Sequence, residues 1–249
     1  MKIIVPTSGG KDSSSVLTLA LSLHPKEDVI PIFNDTGWEH PMTYKYLDTL
    51  SKHFDIEIHR TKGSVNGDTL PELIRYTGYF PHMFKRFCTK ELKIRATRNW
   101  FYDKVFSYSE HYQFWFGMRK AESNNRARRF SWVKNDTMLH MEDLVGDEYR
   151  KIGNEIRIRL PIVEWSTDEA FAYLKKMGVP LNPLYFEGTT QRVGCYPCMI
   201  SGRKTHEEEL ATEFGKGQLK IIMELEQDIG QSYEVLDTDE LYECIFCSF

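Results

Sequence analysis

The stretch Ser8-Gly9-Gly10-Lys11-Asp12-Ser13 follows the apolar run Ile3-Ile4-Val5 and precedes Val16-Leu17. The apolar run reads as a buried strand and the segment after the glycines as a helix, so the stretch occupies a strand-to-helix turn. A helix beginning just after two glycines leaves its first backbone N–H groups without partners, and its dipole adds partial positive charge there. That end attracts an anion. Glycine lets the backbone approach a phosphate closely, the hydroxyls of Ser8, Ser13 and Ser14 can donate, and Lys11 adds a mobile point charge. The turn is therefore expected to cradle phosphate through Ser8, Gly9, Gly10, Lys11, Asp12 and Ser13. A plain glycine turn followed by a Ser/Asp cap is the simpler alternative. The stretch is not a Walker A loop, because the four-residue spacer between the glycines is missing.

The rest of the chain alternates apolar runs with amphipathic stretches. Ile3–Val5, Val29–Phe33, Ile56–His59, Gln113–Phe116 and Ile156–Ile162 read as strands. Asp12–Leu23, Pro41–His53, Thr89–Tyr102 and a segment around Ala170–Lys176, capped by Ser166, read as helices. Such alternation predicts βαβ units, hence an α/β fold with a doubly wound, mostly parallel sheet over residues 1–180. Residues 181–249 read as a cysteine-containing C-terminal extension packed on the same unit. A length of 249 residues with 41% hydrophobic content suits one sizeable core.

Charge narrows the partners. The net charge of -4 gives no general pull toward nucleic acid or an anionic membrane, so any polyanion site must come from local clusters. Two exist, Lys85 to Arg98 and Arg119 to Arg129. Most charge runs are solvated faces, but Arg119 directly follows an aromatic strand and Gly117, a position that aims a guanidinium at the strand ends to grip phosphate bidentately. Arg126 is assigned with it. The remaining basic residues leave a nucleic-acid acceptor as a weakly supported partner class. Asp35, Thr36 and Gly37 end the second predicted strand where ligands of such sheets bind, although Asp35 serves equally well as a turn cap. No apolar stretch reaches a bilayer-spanning length and no signal-peptide h-region opens the chain, so a cytoplasmic protein without a membrane partner is expected, with homo-oligomerisation left open.

The motifs resemble a known family. SGGKDS on the first strand-to-helix turn is similar to the PP-loop of the ATP pyrophosphatase superfamily. NDTGWEHPMTYKYLDTL, FGMRKAESNNRA and LPIVEWSTDEAFAYLKKMGVPLNPLYFEGTTQRVGCYPC resemble, in order and spacing, segments of the phosphoadenosine phosphosulfate (PAPS) reductase family. The resemblance implies an adenine nucleotide alpha-hydrolase-like sheet and adds Ser123 to Arg119 and Arg126 as nucleotide-binding residues. Dedicated sulfonucleotide reductases usually lack the Lys-Asp pair that this chain retains as Lys11 and Asp12. That points toward ATP, with Lys11 neutralising departing pyrophosphate and Asp12 helping to hold Mg²⁺. The expectation is an enzyme that adenylates an acceptor, releases pyrophosphate and supports sulfur transfer, with a persulfide as sulfur donor. The alternative is a thioredoxin-dependent reductase of PAPS or adenylyl sulfate that forms sulfite.

Five cysteines are too few for a disulfide scaffold, and four of them form two Cys-x-x-Cys pairs. Cys195 and Cys198 can converge on one metal, and Cys88 can supply a third thiolate. The resemblance implies a [4Fe-4S] cluster here, whereas the spacing alone fits Zn²⁺ equally. Cys247 is assigned as a further ligand. Cys244 follows Glu243 as the nucleophile of the sulfonucleotide reductases does, and is assigned a catalytic role, though Ile245 replaces the glycine of that motif. Either of the last two cysteines can be ligand or nucleophile.

Overall fold

The computed structural model describes residues 1–63, 66–82, 84–140, 143–144, 156–187 and 192–235. Six strands form one sheet: β1 (Lys2–Pro6), β2 (Val29–Asn34), β3 (His59–Thr61), β4 (Tyr112–Trp115), β5 (Met138–His140) and β6 (Ile156–Arg159). Their order is β3-β2-β1-β4-β6-β5, parallel throughout except for the β5–β6 pair. The chain runs outward from β1 through β2 to β3, then returns to the other side of β1 as β4. The switch point between β1 and β4 opens a crevice at the carboxyl ends of these two strands, the usual ligand position in such sheets.

A parallel sheet is covered on both faces, and alternate residues of β1 show it. Ile3 and Val5 pack with Val16, Leu17 and Ala20 of α1 (Lys11–Leu23), whereas Ile4 joins the opposite cluster with Phe101 and Phe114. Helix α2 (Pro41–Phe54) follows β2 and α3 (Leu70–Thr77) follows β3. Phe101 belongs to α4 (Ala96–Lys104), which is entered through a π-helical turn over Lys90–Arg95. The expected single helix over Thr89–Tyr102 is thus a composite. After β4 come α5 (Asn124–Arg129), β5, β6 and α6 (Thr167–Lys176). Ser166 caps α6 as expected, accepting from Glu169 N at 3.1 Å while the Glu169 carboxylate accepts from Ser166 N at 2.7 Å.

Three strands differ from expectation, the last of them ending at Arg159 instead of Ile162 because the chain turns over residues 161–164. Strand β3 pairs over His59–Thr61 rather than Ile56–His59, because Ile56 and Ile58 are half-buried in the clusters beneath α2 and are not part of the ladder. The antiparallel edge strand β5 has three residues, too few to show an alternating pattern. Helices α7 (Arg203–Ala211) and α8 (Glu213–Ile229) complete the described chain, and Ile222 and Leu225 of α8 share a cluster with Leu70, Leu73 and Ile74 of α3. No helix among the described residues is long and apolar enough to cross a membrane.

Candidate nucleotide and thiol site

The turn from β1 into α1 lies at the switch point. Gly9 adopts φ +81°, a conformation that favours glycine. Asn182 reaches it from the far end of the chain, donating from Nδ2 to Gly9 O at 3.1 Å. Ser13 Oγ accepts from Ser8 N at 3.1 Å, donates to Gly10 O at 3.0 Å and sits 3.2 Å from Ser8 Oγ. The serines thus fold the loop on itself and keep their hydroxyls at the crevice wall.

Charge is paired throughout this wall. Lys11 is 6% exposed; its ammonium lies 3.2 Å from Asp12 Oδ2 and 5.7 and 5.6 Å from the ring centres of Phe171 and Tyr185. Asp12 also receives the fork of Arg119, Nε to Oδ1 at 2.6 Å and Nη2 to Oδ2 at 3.4 Å. Arg119 is 1% exposed and donates further to Trp165 O and Thr167 Oγ1. The guanidinium expected to grip phosphate forks onto Asp12 instead. Gly117 makes the approach feasible, since a Cβ at that position would lie 2.8 Å from Asp12 C and 2.9 Å from Ser13 N. Arg126, fully buried, pairs with Glu122, which also accepts from Arg119 N at 2.9 Å. Burial works to raise the Glu122 carboxyl, but Arg126 and Arg192 override it and hold it below the usual range. Ser123 acts as the cap of α5, accepting from Arg126 N at 3.2 Å.

A small cavity opens among Ser8, Gly10, Asp12, Ser13, Gly117, Glu122, Tyr185, Arg192 and Val193, at the foot of the turn. A larger hollow of about 410 Å³ lies among Lys26, Val29, Ile56 and His59, at the amino ends of β2 and β3. It is a surface groove at the wrong edge of the sheet for ligand binding. Arg192 and Tyr185 escaped the sequence reading. Both fall inside the long family-like stretch, and Tyr185 follows Asn182-Pro183-Leu184, a turn-forming run whose asparagine tethers it to Gly9.

The loop after β2 faces a second centre. Asp35 Oδ1 accepts from Gly37 N and the Tyr44 hydroxyl, so the carboxylate does close the turn. Thr36 turns inward, its hydroxyl donating to Glu39 Oε1 at 2.5 Å and lying 3.6 Å from Cys195 Sγ. Glu39 is 7% exposed and accepts also from Trp38 N and the Tyr44 hydroxyl; burial raises its carboxyl despite Thr36 and Lys93. The cysteine turn docks on this loop. Tyr196 N donates to Trp38 O at 2.7 Å and Trp38 Nε1 to Pro197 O at 2.9 Å. Burial pushes the Cys195 thiol up to about 12, opposed by Lys93, and Cys88 lies within electrostatic reach. Cys88 and Cys195 pack against one apolar cluster. Among the described residues no group of three or more His, Cys, Asp or Glu side chains is arranged to hold a metal. Cys244 and Cys247 lie outside the described residues.

Comparison with known proteins follows the same lines. Residues 2–200 match the model of the phosphoadenosine phosphosulfate reductase domain. An uncharacterized 37.8 kDa protein of Escherichia phage 186 is 29% identical over 83% of this chain and 69% of its own length. A phosphoadenosine 5'-phosphosulfate reductase of Vibrio vulnificus is 25% identical over 71% of the chain and 61% of its own length. A sulfate adenylyltransferase subunit 2 of Sulfurimonas denitrificans is 24% identical over 72% and 58%. The chain spans as little as 36% of one archaeal relative from Methanocaldococcus jannaschii. Among solved structures, phosphoadenylyl-sulfate (PAPS) reductase from Candida auris in its phosphate complex superposes with TM-score 0.53 at 15% identity, covering 80% of this chain and 83% of that one, a likeness of fold.

Proposed function

The chain belongs to the phosphoadenosine phosphosulfate reductase domain family, and from that premise we propose that it binds ATP, adenylates an acceptor with release of pyrophosphate and supports sulfur transfer to it. The observation that carries this reading is the Lys11–Asp12–Arg119 constellation at the switch point. A pre-activated nucleotide has no pyrophosphate to expel, whereas cleavage of ATP between its α- and β-phosphates builds charge on a leaving group. A lysine against that group, and a carboxylate able to share Mg²⁺, suit the second reaction. Relatives of both kinds exist by name, reductases and an adenylyltransferase subunit, and the residues at the turn favour the second kind of chemistry.

In this reading the acceptor attacks the α-phosphorus, the bond to the β-phosphate oxygen breaks, and Lys11 with the Ser8 and Ser13 hydroxyls steadies the pyrophosphate. Asp12 fits a share in Mg²⁺, being a crevice-lining carboxylate whose charge is balanced by two cations in the ligand-free protein. Mg²⁺ would shield the phosphate oxygens. On the thiol side, Cys88 and Cys195 pack on one apolar cluster with Cys198 on the same turn, and the Cys195 thiol, pushed up by burial, would give up its proton on binding a metal. An iron–sulfur cluster there would supply a place to bind sulfide, and the same thiolates would alternatively hold Zn²⁺.

The test is anaerobic turnover with ATP–Mg²⁺, and separately with PAPS and reduced thioredoxin, following pyrophosphate, AMP and sulfite. Pyrophosphate from ATP, reduced on the order of 100-fold in Lys11→Ala, is expected. Sulfite from PAPS without ATP cleavage overturns the assignment and makes the chain a reductase.

A further inference from the structure

The first backbone amide of α1 already has a partner, and it comes from 174 residues away. Lys11 N donates to the Tyr185 hydroxyl at 2.9 Å. This amide is one of the orphan donors that a phosphate cradle offers its ligand, and a buried donor of this kind requires an acceptor in the ligand-free protein. The same tyrosine ring lies 5.6 Å from the Lys11 ammonium and stands edge-on to Phe171 at 5.2 Å. Tyr185 therefore engages both the amide and the charge of the residue assigned to pyrophosphate. Its hydroxyl would also lie 3.4 Å from a Cβ at Gly10, so it covers the glycine turn itself.

We propose that Tyr185 is a gating residue of the phosphate cradle: its hydroxyl occupies the Lys11 amide until a phosphate oxygen displaces it. The inference rests on the reading of the turn as a nucleotide-phosphate site. Tyr185 lines the small cavity at the turn together with Ser8, Gly10, Asp12 and Ser13, so a phosphate reaching the Lys11 amide there meets the tyrosine hydroxyl. The exchange is favourable in one direction only. A charged phosphate oxygen is a roughly twofold stronger acceptor than a neutral phenol, and it draws on the Lys11 ammonium as well. Water or a neutral ligand offers no such gain, so the gate favours anions. The anchor of the segment need not move, since Asn182 holds Gly9 O through Nδ2 and Leu184 N through Oδ1, and Tyr185 lies at the end of the short turn Pro183–Tyr185.

Tyr185→Phe isolates the hydroxyl, because it keeps the ring beside Lys11 and Phe171. Binding of pyrophosphate with Mg²⁺, and of ATP with Mg²⁺, would be measured by stopped flow and calorimetry in the full chain. If the hydroxyl competes with the ligand, the association rate constant rises about five- to tenfold in the variant while dissociation stays unchanged, since only the fraction of open protein differs. Pyrophosphate should also raise the melting temperature of the variant more than that of the parent. A slower dissociation from the parent does not arise from gating, whereas a five- to tenfold weaker affinity in the parent does. Equal rate constants in the two proteins overturn the gate and leave the nucleotide reading intact, and faster dissociation from Tyr185→Phe overturns it in favour of a direct ligand contact. Binding by neither protein overturns both the nucleotide reading and the gate.

Discussion

The two halves of the site are held together by different chemistry. Around the β1–α1 turn neutral hydrogen bonds shape the loop, but the charged side chains are all ion-paired: Lys11 and Arg119 on Asp12, Arg126 and Arg192 on Glu122. Around the cysteine turn the contacts are mostly neutral hydrogen bonds and ring packing. Trp38 grips Tyr196 and Pro197, Gln218 Nε2 donates to Tyr196 O at 2.9 Å, and the Tyr233 hydroxyl donates to Met199 O. A cation already stripped of water and balanced by an internal carboxylate can exchange that partner for a phosphate at little desolvation cost. A backbone turn pinned by neutral bonds has no such alternative partner. On the proposed reading the first region swaps ligands, whereas the second holds a fixed geometry.

The largest effect should come from breaking the ionic side at its closest packing point. Gly117→Ala places a methyl 2.8 Å from Asp12 C and 2.9 Å from Asp12 O, against backbone that cannot rotate away. Overpacking of this kind costs about 3 kcal/mol, and relief requires the β1–α1 turn to retreat from β4. The expected outcome is a lower denaturation midpoint and loss of measurable ATP–Mg²⁺ binding, with Cys195 alkylation nearly as in the parent protein. If ATP binding survives while the cysteine turn loosens, the two regions are not separable in this way.

A second effect probes the neutral side. His206, 1% exposed on α7, has its imidazole held down to about 4 by burial, opposed by a bond to the Cys198 backbone. The unfolded chain takes up this proton near 6.5 and the folded chain only near 4, so the unfolded state binds more protons between those values. Stability from this group is fully present above pH 6.5 and drains away as pH falls toward 4, with a slope approaching 1.4 kcal/mol per pH unit. His206→Phe should flatten the denaturation midpoint across that window. An unchanged pH profile would mean that the histidine takes up its proton in the fold, which a rigid apolar setting does not permit.

Much of this was legible in the residues. β1 and β2 announce themselves by buried apolar runs, α1 and α2 by apolar residues at helical spacing, and SGGKDS marks the strand-to-helix turn. The short edge strands β3 and β5 carry too little pattern to place. The residues of the site were recognisable by type and family resemblance, but their partners were not. Arg119 and Asp12 are 107 positions apart, and Tyr185 lies 174 positions from the amide that it covers. A fork onto an internal carboxylate and a fork onto phosphate need the same arginine, so composition cannot tell which partner holds it in the absence of ligand.

The smallest effect is expected where the two regions meet. Thr36 was assigned to the nucleotide, yet its hydroxyl points at Glu39 Oε1 and lies 3.6 Å from Cys195 Sγ. Only its neighbours Asp35 and Gly37 keep polar groups on the outer side of the turn, Gly37 exposed and at φ +64°. Thr36→Val preserves the shape of the side chain and deletes one donor to a buried carboxyl, which costs about 1 kcal/mol. ATP–Mg²⁺ affinity should stay within about twofold, because the backbone of the turn is still fixed by Thr36 N donating to Glu39. Alkylation of Cys195 in the metal-free protein should instead slow several-fold, since the hydroxyl 3.6 Å from Sγ is one of the groups that oppose the upward push of burial on the thiol. The opposite result, a loss of ATP affinity with an unaltered thiol, would put the hydroxyl on the nucleotide. Thr36 would then be exchanging partners as the proposal has Lys11 and Arg119 do, and the boundary between the exchangeable and the fixed region would lie deeper, at Glu39.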